Sequence, residues 1–177
     1  MSIILRDSRD TDISGISAIY QHAVRTGTAS FELDPPTVEE MTRRRQSILG
    51  GGFPYLVAER ADQIVGYAYA STYRARPGYR FTVENSVYVA QDQQGRGIGK
   101  TLLTELVQRC ETDGHRLIVA VIGDSDNKAS IALHGSCGFT HAGILHGVGW
   151  KFDRWLDSVL MVRALGLGQT APPPAGR

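Results

Sequence analysis

The sequence predicts an α/β fold in which a mixed central β-sheet carries helices on both faces, and three observations support it. Residues 12–25 place Ile13, Ile16, Ile19, Tyr20 and Ala23 at the i, i+3, i+4 spacing of one helical face. The segments "TVENSVYVA" (82–90), "QDQQGRGIGK" (91–100), a striped stretch to 114 and "RLIVAVIG" (116–123) follow as strand, glycine-rich turn, helix and strand, which is a βαβ unit. The second of these strands lacks alternation, as expected where both faces are covered and a neighbour runs parallel.

The remaining elements follow in order. After "SIILRDS" and the first helix, Pro35 and Pro36 exclude an early start for the second. "TVEE" (37–40) reads as a capping box, with the Thr37 hydroxyl and the Glu40 carboxylate satisfying each other's free amides, and that helix runs to about Leu49 before "GGG" (50–52) breaks it. "YLVAER" and "QIVGYAYAS", joined by a polar turn at Ala61 and Asp62, read as antiparallel strands. Past the glycine turn, Ile98, Leu102, Leu103, Leu106, Val107 and Cys110 line one face of a helix ending near Gly114. A shorter helix over about 127–137 stops at Gly138, and two late strands, around 139–145 and 156–165, complete the sheet. The expected organisation is one domain over 1–166 and a flexible Pro/Gly tail over 167–177.

Composition narrows the function classes. Nineteen Lys and Arg against eighteen Asp and Glu give a net charge of +1, which leaves no global basic field for nucleic acid, so an anionic partner must be met locally. Two cysteines, Cys110 and Cys137, are too few for a disulfide framework or a metal site. No charged-then-apolar leader opens the chain, and its longest apolar runs fall far short of the roughly 20 residues of a membrane span. The expectation is a soluble protein of a reducing, cytoplasmic compartment, with no membrane and no nucleic-acid partner.

A strand feeding a helix through glycines exposes amide N–H groups at the positive end of the helix dipole, an anion site that needs no charged side chain. Three patterns compete for residues 94–101, beside a plain tight turn. The nucleoside-triphosphate loop G-x-x-x-x-G-K-[ST] finds Gly99, Lys100 and Thr101 but has Gln94 in place of its first glycine. The dinucleotide fingerprint fails because Lys100 stands where its third glycine belongs, and because the loop comes mid-chain. The pattern [QR]-x-x-G-x-[GA] is met in full by Gln94, Gly97 and Gly99.

That third pattern resembles the pyrophosphate loop of the GNAT superfamily of N-acetyltransferases, and other blocks agree in order. "NKASIALHGSCGF" (127–139) has the superfamily's Asn, short helix and Gly-Phe, with His134 where a Tyr is usual. That departure, with "FPYLVAE", "GYAYAS", "ARPGYRFTVENSVYV" and "VAVIG", resembles the phosphinothricin acetyltransferase-like branch, and the likeness spans about residues 4–165. It implies a GNAT fold with splayed parallel strands, acetyl-CoA as co-substrate, no metal, a small-molecule amine such as phosphinothricin or methionine sulfoximine as acceptor, and a homodimer. A nucleotide hydrolase using Lys100, Thr101 and Asp124, a transferase for another amine, and a non-catalytic coenzyme-binding module are the rivals.

The resemblance also distributes roles. An amine must lose a proton before it attacks, and Glu84, a carboxylate inside a β-branched strand, is expected to take it; the plain alternative is an edge-strand Glu facing water or an arginine. In the superfamily this strand bulges and splays, so the main chain around Val87, Tyr88 and Val89 is expected to hold the pantetheine arm and the thioester oxygen. Gly95, Arg96, Gly97, Ile98, Gly99 and Lys100 would grip the diphosphate, with Asn127 and Ser130 at the next helix start. His134 is a candidate acid or substrate contact, or a satisfied half-buried residue. Arg74, Ala75 and Arg76, in a Pro/Gly-bearing loop, are a candidate clamp for an anionic acceptor, or solvated surface. Phe31, after the first helix, is placed to wall the acceptor pocket. "HGVGWKFDRWLDS" (146–158) reads as a rim or dimer contact, and both cysteines read as core.

Overall fold

The computed structural model describes residues 2–173. Strands β1 (Ile4–Asp7), β2 (Tyr55–Arg60), β3 (Gln63–Thr72), β4 (Thr82–Val89), β5 (Leu117–Gly123), β6 (Thr140–Lys151) and β7 (Arg154–Ala164) form one sheet in the order β1-β2-β3-β4-β5-β7-β6. Only β4 and β5 pair in parallel, so the sheet is mixed. Helices α1 (Ile13–Thr26) and α2 (Val38–Gly50) cover one face, and α3 (Ile98–Thr112) covers the other, beside α4 (Lys128–Ser136).

Alternation along the strands makes this layering. Tyr55 and Val57 pack with Ile16, Tyr20, Val24 and Met41 on the α1/α2 side, while Leu56 and Ala58 meet the α3 stripe of Leu102, Leu103, Leu106 and Cys110 on the other. Each fully buried leucine of that stripe contributes about 1.5–3 kcal/mol. The two hairpin turns, Ala61-Asp62 and Phe152-Asp153, hold both central residues at positive φ (50° and 58°, 52° and 56°), the twist-matched geometry for two-residue connections.

The feature that makes a site is the parting of β4 from β5. Their pairing begins at Thr82 and Leu117 and ends at Asn85 and Ala120, although both strands continue. A wedge therefore opens between Ser86–Val89 of β4 and Val121–Gly123 of β5. The Ala90 N–H donates to Val65 O on the β3 side, so by alternation the N–H groups of Val87 and Val89 point away from β3, into the wedge.

Several expectations are corrected. β4 keeps unbroken register with β3 from Val83 to Val89, so no bulge interrupts that pairing; the splay alone frees the amides. "RLIVAVIG" is not covered throughout, because Val121, 41% exposed, borders the wedge. Thr37 caps Glu40 N, but the Glu40 carboxylate pairs with Arg44 at 2.8 Å, so the reciprocal half of the capping box is absent. The segment 146–158 is mostly strand, with register shifts between Leu145 and Gly149; it escaped the sequence reading because an edge strand exposed on both faces shows no alternation. Within the segment expected as a tail, Arg116 donates to Pro172 O at 3.0 Å, and Gly168 N to Leu165 O at 2.9 Å. The end of the predicted tail, 174–177, lies outside the described residues.

Candidate active site

The wedge holds a cavity of about 460 Å³ whose walls come from β4, β5, α4, the segment after α1 and the β6 strand. It brings together Phe31, Glu84, Val87, Tyr88, Asn127, Ser130 and His134 from the sequence-predicted set. A second cavity of about 340 Å³ shares Ala29 and Asn127 with it and is also lined by Val89 and Gln94, just before the glycine turn.

Glu84 lies on the α1/α2 side of β4, beside Tyr69, and no side chain donates a hydrogen bond to it among the described residues. Burial holds its carboxyl above the ordinary carboxylate value, opposed by the charge of Arg74. A carboxylate in that state can take a proton from an ammonium group that docks beside it.

His134 is buried, 3% exposed, with its ring edge-on to Phe139. Its Nδ1 lies 2.8 Å from Ser130 O and its Nε2 lies 3.0 Å from Asn85 Nδ2. A carbonyl can only accept, so Nδ1 carries the proton; in the neutral ring Nε2 accepts from the Asn85 amide. Burial lowers the histidine's pKa, opposed by the Ser130 bond, which favours that neutral ring.

Loop 27–32 closes the acceptor side. Phe31 packs where Gly123 and Gly149 leave room, since a Cβ on Gly149 would meet its ring at 2.5 Å. The loop is tied down at Ser30, whose hydroxyl meets the Tyr20 hydroxyl at 2.9 Å and whose carbonyl accepts from the buried Lys151 Nζ at 2.8 Å.

At the open end, Gly97 caps α3 at φ 80° and Gly95 stands at φ 74°, conformations costly to residues with a Cβ. The first-turn amides of Ile98, Gly99 and Lys100 have no intrahelical partner, as at any helix start. The Ile98 side chain is core, 1% exposed, so only its backbone can meet a ligand. Gly99 lets α3 approach Leu133 of α4, while Arg96 and Lys100 are exposed. Asn127 caps α4 by accepting from Ser130 N at 3.2 Å.

The arginine loop does not join them. Arg74, Ala75 and Arg76 are exposed and do not line the cavity; Arg74 stacks on Tyr73 and reaches Glu84 through charge alone. Asp124, the metal ligand of the hydrolase reading, is buried and paired with Arg154 at 2.5 Å. Both cysteines are buried thiols, and burial pushes Cys110 up to about 12. Sequence reasoning missed Asn85, Tyr69, Ser86, Val121 and Lys151. A signal existed for Asn85, which falls between Val83 and Val87 on the strand's apolar face; Tyr69 and Val121 read as ordinary strand residues, and Lys151 fell in the segment read as a rim or dimer contact.

Comparison with known proteins agrees with this geometry. The model of the acetyltransferase (GNAT) domain matches residues 5–160. The chain is 54% identical to the phosphinothricin N-acetyltransferase of Alcaligenes faecalis over 169 residues, covering 96% of this chain and 86% of that one. It is 41% identical to the L-methionine sulfoximine/L-methionine sulfone acetyltransferase of Pseudomonas aeruginosa, covering 97% and 100%. The crystal structure of a phosphinothricin acetyltransferase from Sinorhizobium meliloti in complex with AcCoA superimposes with a TM-score of 0.95 at 44% identity, covering 99% and 95%. The overall fold is thus shared with proteins of known kind, and the chain belongs to the GNAT acetyltransferase family.

Proposed function

We propose that the protein transfers the acetyl group of acetyl-CoA to the primary amine of a small amino-acid-like acceptor such as phosphinothricin or methionine sulfoximine. The observation that carries this reading is an unpartnered, burial-shifted Glu84 on the strand whose Val87 and Val89 amides face an open wedge. The names of the relatives supply the acceptor class, and the Sinorhizobium meliloti structure supplies the coenzyme.

The residues present fit acetyl-CoA. Backbone amides at the start of α3 suit the diphosphate, the free edge of β4 suits an amide-bearing arm, and the two adjoining cavities give it room. Bound there, acetyl-CoA supplies an activated acyl carbon. Gly95 to Lys100 would fix the distal end, and Asn127 and Ser130 would flank the arm. Val87 N–H is placed to meet the charge that develops on the carbonyl oxygen, an interaction typically worth about 3 kcal/mol. Glu84 accepts the ammonium proton, directly or through one water, so that the amine attacks as a neutral base while both substrates are bound. Phe31, on its anchored loop, limits the acceptor to small molecules.

Glu84→Gln tests this reading. Thiol release from acetyl-CoA should fall about 100-fold or more while acetyl-CoA still raises the melting temperature. A wild-type rate in that variant removes Glu84 from the mechanism.

The finer features rest on other observations. We read the protein as a homodimer that joins along β6, an edge strand exposing Leu145, Val148 and Trp150, with Trp155 beside it. Trp150→Glu with Val148→Lys should convert a dimeric mass by light scattering into a monomeric one. No helix among the described residues is long and apolar enough to cross a membrane; we assign the protein to the cytoplasm, consistent with two unpaired thiols.

A further inference from the structure

Asn85 is 6% exposed, lies at the closed end of the wedge and lines its cavity, yet its side-chain oxygen has no hydrogen-bond partner. A buried unpaired acceptor is costly and uncommon, and here its direction is enforced. His134 Nδ1 is committed to Ser130 O, so the neutral ring offers only a lone pair at Nε2; that lone pair takes the Asn85 N–H and turns the oxygen the other way. The same geometry leaves His134 no free proton to give to a departing thiolate.

The oxygen lies beside the wedge cavity but is itself covered, so a donor from a ligand in the wedge reaches it only by shifting what covers it. Glu84 and Asn85 are consecutive, so their side chains leave β4 on opposite faces, Glu84 toward α1 and Asn85 toward α4. The gap between the strands is the space both can reach. A thioester has no N–H of its own at the reacting carbon, whereas the acceptor amine must come within reach of Glu84 and keeps two N–H groups after losing a proton.

We infer that Asn85 is a substrate-binding residue that accepts a hydrogen bond from the attacking amine, and that His134 is the positioning residue behind it. The inference rests on the acetyltransferase reading above. It adds that the lone pair of the amine is aimed at the acyl carbon by Glu84 on one side and Asn85 on the other. The bond strengthens as the nitrogen becomes positive, so its loss is felt in the transition state.

Steady-state kinetics of thiol release with both substrates varied, on wild type, Asn85→Leu, Asn85→Asp and His134→Gln, tests it. Asn85→Leu should lower kcat/KM for the amine about 10- to 100-fold, with the acetyl-CoA KM within about twofold of wild type. Asn85→Asp keeps an acceptor oxygen but loses the N–H that His134 Nε2 accepts, so its kcat/KM for the amine should fall between those of Asn85→Leu and wild type. His134→Gln should lower kcat/KM for the amine while leaving the shape of the kcat–pH profile unchanged, because no histidine proton is transferred. Three outcomes would overturn the inference: wild-type amine kinetics in Asn85→Leu; a rise confined to the acetyl-CoA KM, which would assign Asn85 to an amide of the coenzyme arm; or a wild-type fall in kcat at high pH that His134→Gln abolishes, which would make His134 the acid. A wild-type protein that releases no thiol with any amine removes the acetyltransferase reading and this inference with it. A wild type that turns over while Asn85→Leu matches it removes this inference alone.

Discussion

Adding a single methyl group at Gly123 should loosen the acceptor side of the site, and with it the Thr28–Ala29 wall of the adjoining cavity. A Cβ there would stand 2.2 Å from the Thr28 carbonyl oxygen and 3.0 Å from a Phe31 ring carbon, where ordinary contact begins at 3.4 Å. The oxygen must retreat by about 1 Å, and being backbone it takes segment 27–32 with it. That segment is held at Ser30 by Tyr20 and Lys151, so the retreat strains buried hydrogen bonds as well as packing. Overpacking of this kind costs about 1–3 kcal/mol. In a chain of this length it should lower the melting temperature by roughly 3–10 °C. Because Phe31 walls the acceptor space, a displacement near 1 Å should lower kcat/KM for the amine by roughly 10- to 100-fold. Gly149→Ala is the control: the nearest atoms to its Cβ belong to the Phe31 ring, at 2.5 Å, and a ring can turn aside. It should share the kinetic defect with a stability loss of about 1 kcal/mol. Thermal unfolding and two-substrate kinetics check both variants. Wild-type melting and amine kinetics in Gly123→Ala, or a defect confined to the acetyl-CoA KM, would refute the reasoning.

The other expectations concern charge and backbone. Glu84 must be ionised to accept a proton, so kcat/KM for the amine should fall as pH drops through its raised pKa; Arg74→Ala, which removes the opposing charge, should move that limb to higher pH. Since the native state holds this proton after the unfolded chain has released it, wild-type stability should decline as pH rises from the ordinary carboxylate value through the folded one. Glu84→Gln should lack that decline, so its melting temperature should gain on wild type across the window. Asp12 behaves oppositely. The Arg6 guanidinium at 2.7 Å holds its carboxyl below the ordinary value, giving stability that is present at neutral pH and lost as pH falls through the folded pKa. Asp12→Asn should cost about 1–3 kcal/mol at pH 7 by denaturant titration, since Arg6 keeps Glu59, and flatten the acid limb. Gly97→Ala forces a Cβ into a φ of 80°, so it should cost about 1–2 kcal/mol and raise the acetyl-CoA KM with little change in the amine KM.

What could be read from the sequence was whatever left a periodic or positional mark. The α1 and α3 stripes and the β4–glycine–α3–β5 order each follow from spacing, and the structure places them as expected. Glu84 was legible because a carboxylate is conspicuous in a β-branched strand. The splay was not, since it depends on where β4 and β5 stop pairing, and no local pattern encodes that. The part of β6 past Leu145 was illegible for a related reason: exposed on both faces, it has no inward set of residues to alternate. Arg74 and Arg76 looked like a clamp by composition, but loop residues carry no facing rule, and these lie outside the cavity. Asn85 was overlooked because its partner, His134, is far along the chain; only the fold brings the two within 3.0 Å.

The central claim is acetyl transfer to a small primary amine. Its most direct test is release of free coenzyme A thiol from acetyl-CoA, with phosphinothricin, methionine sulfoximine, methionine sulfone and a panel of ordinary amines offered in turn. The account predicts acceptor-dependent release with the first three, carried on Glu84 and lost in Glu84→Gln. Silence with every amine, while acetyl-CoA still raises the melting temperature, would contradict it.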